Sequence, residues 1–328
     1  MRLFVARQLP LDCAAAAGPG IEVEVFPHDR APTRAELIAA AADADGLVTL
    51  LSEGVDEELL RAAPRLRAVA NVAVGLDNID QPACAARGVT VTHTPEVLTD
   101  ATADLAFALI LAVARRVVEG DKLVRAGSFK GFSPTLLLGK DLSRRTLGIL
   151  GFGRIGQAVA RRALGFGMDI LYCNRSAVPS SVELALHASR VEVSELLERS
   201  DVLSIHCPLT DQTRHLLDRA RLRLVRPGAI VVNTSRGPVI DEAALAEALA
   251  EGRLAGAGLD VYEREPLVHP ALLGRDDVVL LPHLGSATEE TRRRMSEMAV
   301  TDAARVLRGQ EPLHRAPGAR SRQAADRL

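Results

Sequence analysis

Between Thr146 and Ser176 the chain reads TLGILGFGRIGQAVARRALGFGMDILYCNRS, and this stretch restricts the fold more than any other. The apolar run Leu147–Leu150 enters Gly151-Phe152-Gly153-Arg154-Ile155-Gly156, and an alanine-rich helical pattern follows. Strand, glycine turn and helix in that order are the setting of a dinucleotide-binding βαβ unit. Glycine at 151 permits the tight turn, glycine at 153 lets the backbone approach a pyrophosphate, and glycine at 156 lets helix and strand pack closely. The phosphate is expected at the helix N-terminus, where unpaired N–H groups and the helix dipole favour an anion. A second apolar run, Met168–Cys173, ends in Asn174-Arg175-Ser176. An acidic residue at this point would bind the ribose 2′-OH of NAD, whereas a guanidinium with two small polar side chains suits a 2′-phosphate. The residues therefore predict NADP(H), with NAD(H) as the alternative if Arg175 is only a solvated strand-end arginine.

A chain of 328 residues is long enough for two domains, each with its own core. Its 48% hydrophobic and 25% charged residues are ordinary for a globular protein, so neither a disordered nor a fibrous class applies. The formal net charge of -2 provides no drive toward nucleic acid or an anionic membrane. The compact basic run Arg292-Arg293-Arg294 lies in a helical pattern and reads as a solvated face. Cys13, Cys84, Cys173 and Cys207 are scattered without metal-ligand spacing, which predicts buried, reduced thiols and no metal site. The first residues begin a strand with no signal-peptide pattern, and no stretch is apolar enough to span a bilayer. A cytoplasmic protein is expected.

Strand and helix patterns alternate along the chain. Strands are expected at Leu3–Ala6, Glu22–Phe26, Gly46–Leu50, Arg67–Ala70 and Thr90–Thr92, with helices at Thr33–Ala42, Asp56–Ala63 and Ile79–Arg87. Such βαβα order predicts a parallel sheet flanked by helices. One long helix is expected from about Thr99 to Ala126, followed by an arm from Gly127 to Asp141. A second series follows: Leu147–Leu150, Ile170–Cys173, Val202–His206, Ala229–Asn233, Gly256–Asp260 and Val278–Leu281, with helices starting near Arg154, Ser194, Leu216 and Asp241. A last helix, Glu289–Arg308, has no strand after it, and the polar tail His314–Leu328 is expected to be mobile.

Downstream of the glycine loop, three polar residues stand where strands end. Arg236 follows Ile230–Ser235, Glu265 follows Gly258–Tyr262, and His283 follows Val279–Pro282. In a parallel α/β sheet such positions line the ligand crevice. A guanidinium there can hold a carboxylate bidentately, an imidazole can exchange a proton near neutral pH, and a carboxylate beside it favours the charged form. Any one of these could be a surface charge or a cap. Together, beside a dinucleotide loop, they predict chemistry on a carboxylate-bearing substrate.

The chain resembles the D-2-hydroxyacid dehydrogenase family, and within it the glyoxylate/hydroxypyruvate reductases. The resemblance is carried by NVAVGLDNID (71–80), HTPEVLTDATADLAFALIL (93–111), LGILGFGRIG (147–156), HCPLTDQTRHL (206–216), NTSRGPVIDEAAL (233–245), AGLDVYEREP (257–266) and LPHLGSAT (281–288). It implies two doubly wound parallel-sheet domains of the α/β class. A Rossmann-type cofactor domain, residues 98–287, would be inserted in a flavodoxin-like substrate domain made of residues 1–97 and 288–328. It further implies that Arg236 binds the carboxylate and keto oxygen of a 2-oxo acid. His283 would protonate the carbonyl as NADPH reduces it, and Glu265 would orient His283 and favour its charged form. The backbone N–H groups of Val74 and Gly75 would also hold the carboxylate, with Leu51 in the loop facing the substrate.

For the cofactor, the resemblance adds Thr102 near the phosphates and Pro208 with Thr213 around the ribose. Cys207 would be an apolar wall beside them. Thr234, Ser235, Asp260 and Gly285 would lie toward the nicotinamide, although Asp260 equally suits a strand-end cap. The loop Leu50-Leu51-Ser52 lacks the polar or basic residues that meet a phosphorylated substrate, so a small, unphosphorylated 2-oxo acid is expected. Related reductases often carry Trp in the arm that reaches a partner subunit; this chain has no Trp and places Phe129 and Phe132 there. A homodimer packed through the Thr99–Ala126 helix and the arm is implied. The alternatives are a dehydrogenase of another D-2-hydroxy acid or of phosphite, and a nicotinamide-sensing regulatory protein of the same fold.

Overall fold

The computed structural model of the chain describes residues 1–317. Residues 318–328, the larger part of the tail expected to be mobile, lie outside the described residues. The chain divides into two compact units, one formed by Met1–Leu98 with the segment from Ala287 onward, the other by Thr99–Ser286.

In the first unit, strands β1 (Arg2–Val5), β2 (Glu22–Val25), β3 (Gly46–Thr49), β4 (Ala68–Asn71) and β5 (Thr90–Thr92) form a parallel sheet in the order β2-β1-β3-β4-β5. This is the flavodoxin-type winding, with the chain reversing direction between β1 and β3. Every residue of β3 and β4 is buried, as expected of central strands covered on both faces, while edge strand β2 keeps two of its residues exposed. Helices α1 (Cys13–Ala17), α2 (Arg34–Ala42), α3 (Glu57–Ala62) and α4 (Gln81–Ala86) start behind Asp12, Thr33, Asp56 and Asp80. Each of these side chains accepts a first-turn amide, and Thr33 with Glu36 completes a capping box. Sequence periodicity does not announce α1, because five residues are too few to show one.

The second unit begins with α5 (Thr99–Ala114) and α6 (Val117–Arg125). Its sheet is built from β6 (Thr146–Leu150), β7 (Asp169–Cys173), β8 (Ala188–Arg190), β9 (Val202–Ile205), β10 (Ile230–Asn233), β11 (Gly256–Leu259) and β12 (Val278–Leu280). Between them run α7 (Arg154–Gly165), α8 (Ser180–Leu186), α9 (Val193–Arg199), α10 (Arg219–Leu224), α11 (Glu242–Ala250) and α12 (Pro270–Leu273). The order β12-β11-β10-β9-β6-β7-β8 is parallel throughout and reverses between β6 and β9, the dinucleotide-binding arrangement extended by one strand. The last helix, α13 (Glu289–Leu307), belongs to the first unit, where Ala299, Val300, Ala303 and Leu307 pack with Leu3, Val5 and Val48.

Three expectations are corrected. The single helix over Thr99–Ala126 is two, because Arg116 adopts the left-handed conformation at φ 54° and Lys140 N–H returns to the Ala114 carbonyl at 2.8 Å. The helix expected near Leu216 starts at Arg219, since Leu217 pairs with Ile240 and Asp218 is the N-cap. His314–Ala316, expected to be mobile, are held: the buried Asp302 carboxylate accepts from Leu313 N, His314 N and His314 Nδ1, Arg315 pairs with Thr92, and Ala316 N donates to Val91 O. Strand β8 and helix α8, short elements without clear periodicity, were not expected.

Candidate active site

In the second unit, Leu150 is level with Cys173 and Ile205, Asn233 with Ile205 and Leu259, and Leu259 with Leu280. The carboxyl ends of six strands therefore share one edge, and every loop named as functional in this unit leaves from it. The sheet supplies the common frame for these loops.

After β10, the buried Asn233 folds the chain back on itself. Its Oδ1 accepts from Ser235 N at 3.0 Å and Ser235 Oγ at 2.8 Å, while its Nδ2 donates to the Arg236 carbonyl at 2.9 Å. This Asx-type turn presents Arg236, whose Nη1 donates to Ser235 O at 2.8 Å. The next residue, Gly237, lies directly against the loop after β11. A Cβ there would fall 1.8 Å from the Tyr262 carbonyl carbon and 2.4 Å from Glu263 N. The two loops touch backbone to backbone, which fixes Arg236 relative to Glu265.

Glu265 receives Tyr262 N at 3.2 Å on Oε1 and faces His283 Nδ1 at 2.9 Å with Oε2. Burial pushes its carboxyl upward. The hydrogen bond and charge of His283, with Tyr262 N–H and the nearby charge of Arg236, outweigh that and leave it below its ordinary value. With Nδ1 toward the carboxylate, the other ring nitrogen, Nε2, is the one that can serve a ligand. His283 is held at φ 56°, a conformation unfavourable for a residue with a Cβ. Its N–H donates to Asp260 O at 2.9 Å, and the Asp260 carboxylate receives Leu284 N at 2.6 Å and Gly285 N at 2.8 Å. Asp260 thus clips the turn that carries His283. Burial pushes its carboxyl up, against the two amides and His283.

The glycine loop leaves β6 with Gly151 at φ 95°, and a Cβ at 151 would meet Cys207 N at 2.5 Å. A Cβ at 156 would meet Gly151 O at 2.3 Å, so both positions require glycine for close approach. Gly153 differs: a Cβ there would have nothing within 4 Å. It is the N-cap of α7 and contributes no side-chain cap to the first turn. Seven other helices cap this end with Asp or Thr side chains. Together with the buried hydroxyl of Thr234, which has no partner among the described residues, these features fit a pyrophosphate and nicotinamide.

At the end of β7, Asn174 Oδ1 accepts from Phe152 N at 3.3 Å and Nδ2 donates to Ser176 O at 2.9 Å, while Arg175 and Ser176 are exposed. Sequence reasoning missed Arg190, at the end of the unexpected β8. Its Nη2 donates to Asn174 O at 3.1 Å and Arg175 O at 3.5 Å, adding a second guanidinium to this loop. A strand was needed to see it.

Other expected contacts are already engaged. Thr102 Oγ1 donates to Gly285 O at 3.0 Å, tying α5 to the turn after His283, and Thr213 Oγ1 donates to Pro208 O at 2.6 Å. Each hydroxyl has lone pairs left, but its one proton is committed within the protein. Cys207 is buried, and burial pushes its thiol up to about 11, away from the thiolate that would be reactive.

In the first unit, Leu51 lies in a loop braced by the buried Glu53, which receives Leu50 N at 2.7 Å and Ser52 Oγ at 2.6 Å. Asn78 Nδ2 donates to Leu50 O at 2.8 Å and Glu53 O at 2.9 Å, and Asn71 Nδ2 donates to Gly75 O at 2.9 Å. These bonds shape the backbone around Val74 and Gly75. Glu53, Asn71 and Asn78 carry no catalytic motif and were not singled out in the sequence.

Residues 107–285 match the family model for the NAD-binding domain of D-isomer-specific 2-hydroxyacid dehydrogenases. The chain is 47% identical over 315 residues to glyoxylate reductase of Thermococcus litoralis, covering 95% of each protein. A solved structure from Thermus thermophilus superposes with a TM-score of 0.89 at 46% identity, covering 96% of this chain and 100% of that one. An NADPH-dependent glyoxylate/hydroxypyruvate reductase from Sinorhizobium meliloti, solved with NADP and malonate, superposes at 0.83 with 33% identity and 96% of each chain covered.

Proposed function

The chain belongs to the D-isomer-specific 2-hydroxyacid dehydrogenase family, an NAD(P)-dependent oxidoreductase group reducing 2-oxo acids, and on that premise we propose that it reduces glyoxylate, hydroxypyruvate and similarly small 2-oxo acids with NADPH. The observation that carries the reading is the pairing of His283 Nδ1 with Glu265 at 2.9 Å on a loop packed against the one bearing Arg236. When bound, the reduced nicotinamide supplies hydride-donating chemistry. Arg236 holds the substrate carboxylate and polarises the keto oxygen, and its delocalised charge suits a bidentate grip. His283 holds a proton on Nε2 for the same oxygen, and Glu265 fixes the ring and favours its charged form. On the same reading, the amides of Val74 and Gly75 and the Leu51 loop serve the substrate.

For the cofactor, Arg154–Gly156 hold the pyrophosphate and Thr234 the nicotinamide end. Arg175, reinforced by Arg190, meets the 2′-phosphate. A homodimer is part of the proposal: α6 buries no residue in one chain, and Val117, Val124, Phe129, Phe132 and Leu138 on α6 and the following arm are all more than half exposed. Four free thiols suit a reducing compartment, in keeping with a cytoplasmic enzyme. Steady-state assays of glyoxylate and hydroxypyruvate with NADPH and NADH test the function. NADPH should be strongly preferred, and His283→Ala should lower kcat by ~10²–10⁴-fold. Equal efficiency with NADH refutes the cofactor assignment, and an active His283→Ala refutes the proton donor.

A further inference from the structure

Glu242 is the first residue of α11, and only 5% of it is exposed. Helix capping does not explain it, because Asp241 already accepts from Ala244 N at 3.0 Å. Its Oε1 instead receives Glu263 N at 2.5 Å, and Glu263 Oε2 receives Glu242 N at 3.2 Å. The two glutamates hold each other's backbone. Glu263 Oε1 also meets His215 Nε2, and His215 N donates to Pro238 O at 2.7 Å. Beside them, Tyr262 anchors through its hydroxyl to Leu281 O at 2.8 Å, and Gly237 presses on the Tyr262–Glu263 peptide. The loops after β9, β10 and β11 meet here, two residues from Glu265.

We propose that Glu242 is a positioning residue for the reaction: by fixing Glu263 N it sets the Tyr262–Glu265 turn, and with it the carboxylate that orients His283. The inference rests on the catalytic assignment of His283 and Glu265 made above. A carboxylate is a costly way to satisfy two amides, those of Glu263 and His269, in this place. Burial pushes the Glu242 carboxyl up, the adjacent Glu263 charge adds to that, and only the amides of Glu263 and His269 and the charge of His269 oppose it. An apolar side chain of similar volume would remove the desolvation and the like-charge repulsion but leave both amides without an acceptor. A buried acid bonded to Glu263 N, two residues before Glu265, points to the part of that bond in shaping the turn.

Glu242→Met separates the two roles, because it keeps the volume and deletes only the acceptor. The expected result is a folded enzyme whose Tm changes little, because the desolvation and like-charge repulsion removed offset the amides left without an acceptor, with kcat lower by about 10²-fold, as for a reacting group displaced by about an ångström. KM for glyoxylate should change little, because the bond lost orients the proton-donating ring and binds no substrate. Glu242→Gln, whose Oε1 can accept the same bond, should restore kcat. A folded E242M with parental kcat overturns the proposal. Failure of E242M to fold overturns it equally, by assigning Glu242 to stability. His283→Ala distinguishes the levels: an active H283A removes the underlying catalytic assignment, whereas an inactive H283A with an unimpaired E242M removes only the positioning role.

Discussion

Gly237→Ala is the sharpest test of how the candidate site is assembled. The new methyl would lie 1.8 Å from the Tyr262 carbonyl carbon, 2.0 Å from its oxygen and 2.4 Å from Glu263 N. None of these atoms belongs to a side chain that could rotate away. Restoring ordinary carbon–carbon contact requires the loops after β10 and β11 to separate by roughly 2 Å. Overpacking of this kind costs about 3 kcal/mol, the upper part of the usual range, because the obstruction is backbone. At about 2–4 °C per kcal/mol for a unit of this size, Tm should fall by roughly 6–12 °C. The same separation moves Arg236 away from Glu265 and His283, and an ångström of misplacement reduces kcat by about 10²-fold. Differential scanning fluorimetry and steady-state turnover of glyoxylate, below the lowered Tm, measure the two effects. A variant with Tm within about 2 °C of the parent and kcat within threefold would refute the reasoning, since the two loops could not then be in backbone contact.

Gly153→Ala should behave in the opposite way: Tm of the cofactor-free enzyme stays unchanged, because the methyl meets no protein atom within 4 Å, while cofactor binding measured by fluorescence quenching weakens at least tenfold. Arg175→Ala should weaken NADPH binding by about 10–100-fold, the value of one or two charge-assisted hydrogen bonds, with little change for NADH; equal losses for both would show that Arg175 does not read the 2′-phosphate. Glu265 has a depressed carboxyl in the fold, so its contribution to stability is complete above the ordinary glutamate value of about 4.3 and is lost as pH falls through the lower folded value. Thermal melts below that pH should therefore fall more steeply for the parent than for Glu265→Gln; parallel curves would contradict the depressed value.

Local patterns in the chain were enough to place the two parallel α/β units, the glycine loop and the strand-end positions of Arg236, Glu265 and His283. These are local signals. An apolar strand followed by Gly151, Gly153 and Gly156 has few ways to fold, and residues following strands of a parallel sheet emerge at one edge whatever the rest of the chain does. The break at Arg116 was not legible, because it depends on Lys140 returning to the end of α5. Nor was Arg190, whose place beside Asn174 and Arg175 exists only once β8 pairs with β7. For Asp260 the sequence left a nicotinamide contact and a strand-end cap open, and the structure shows its carboxylate receiving Leu284 N and Gly285 N, with Thr102 donating to Gly285 O. Tertiary structure supplied the bonds that hold these turns. Residues far apart in the chain, such as Glu242 and Glu263 or Gly237 and Tyr262, gain their roles from an approach of a few ångströms that no local pattern encodes.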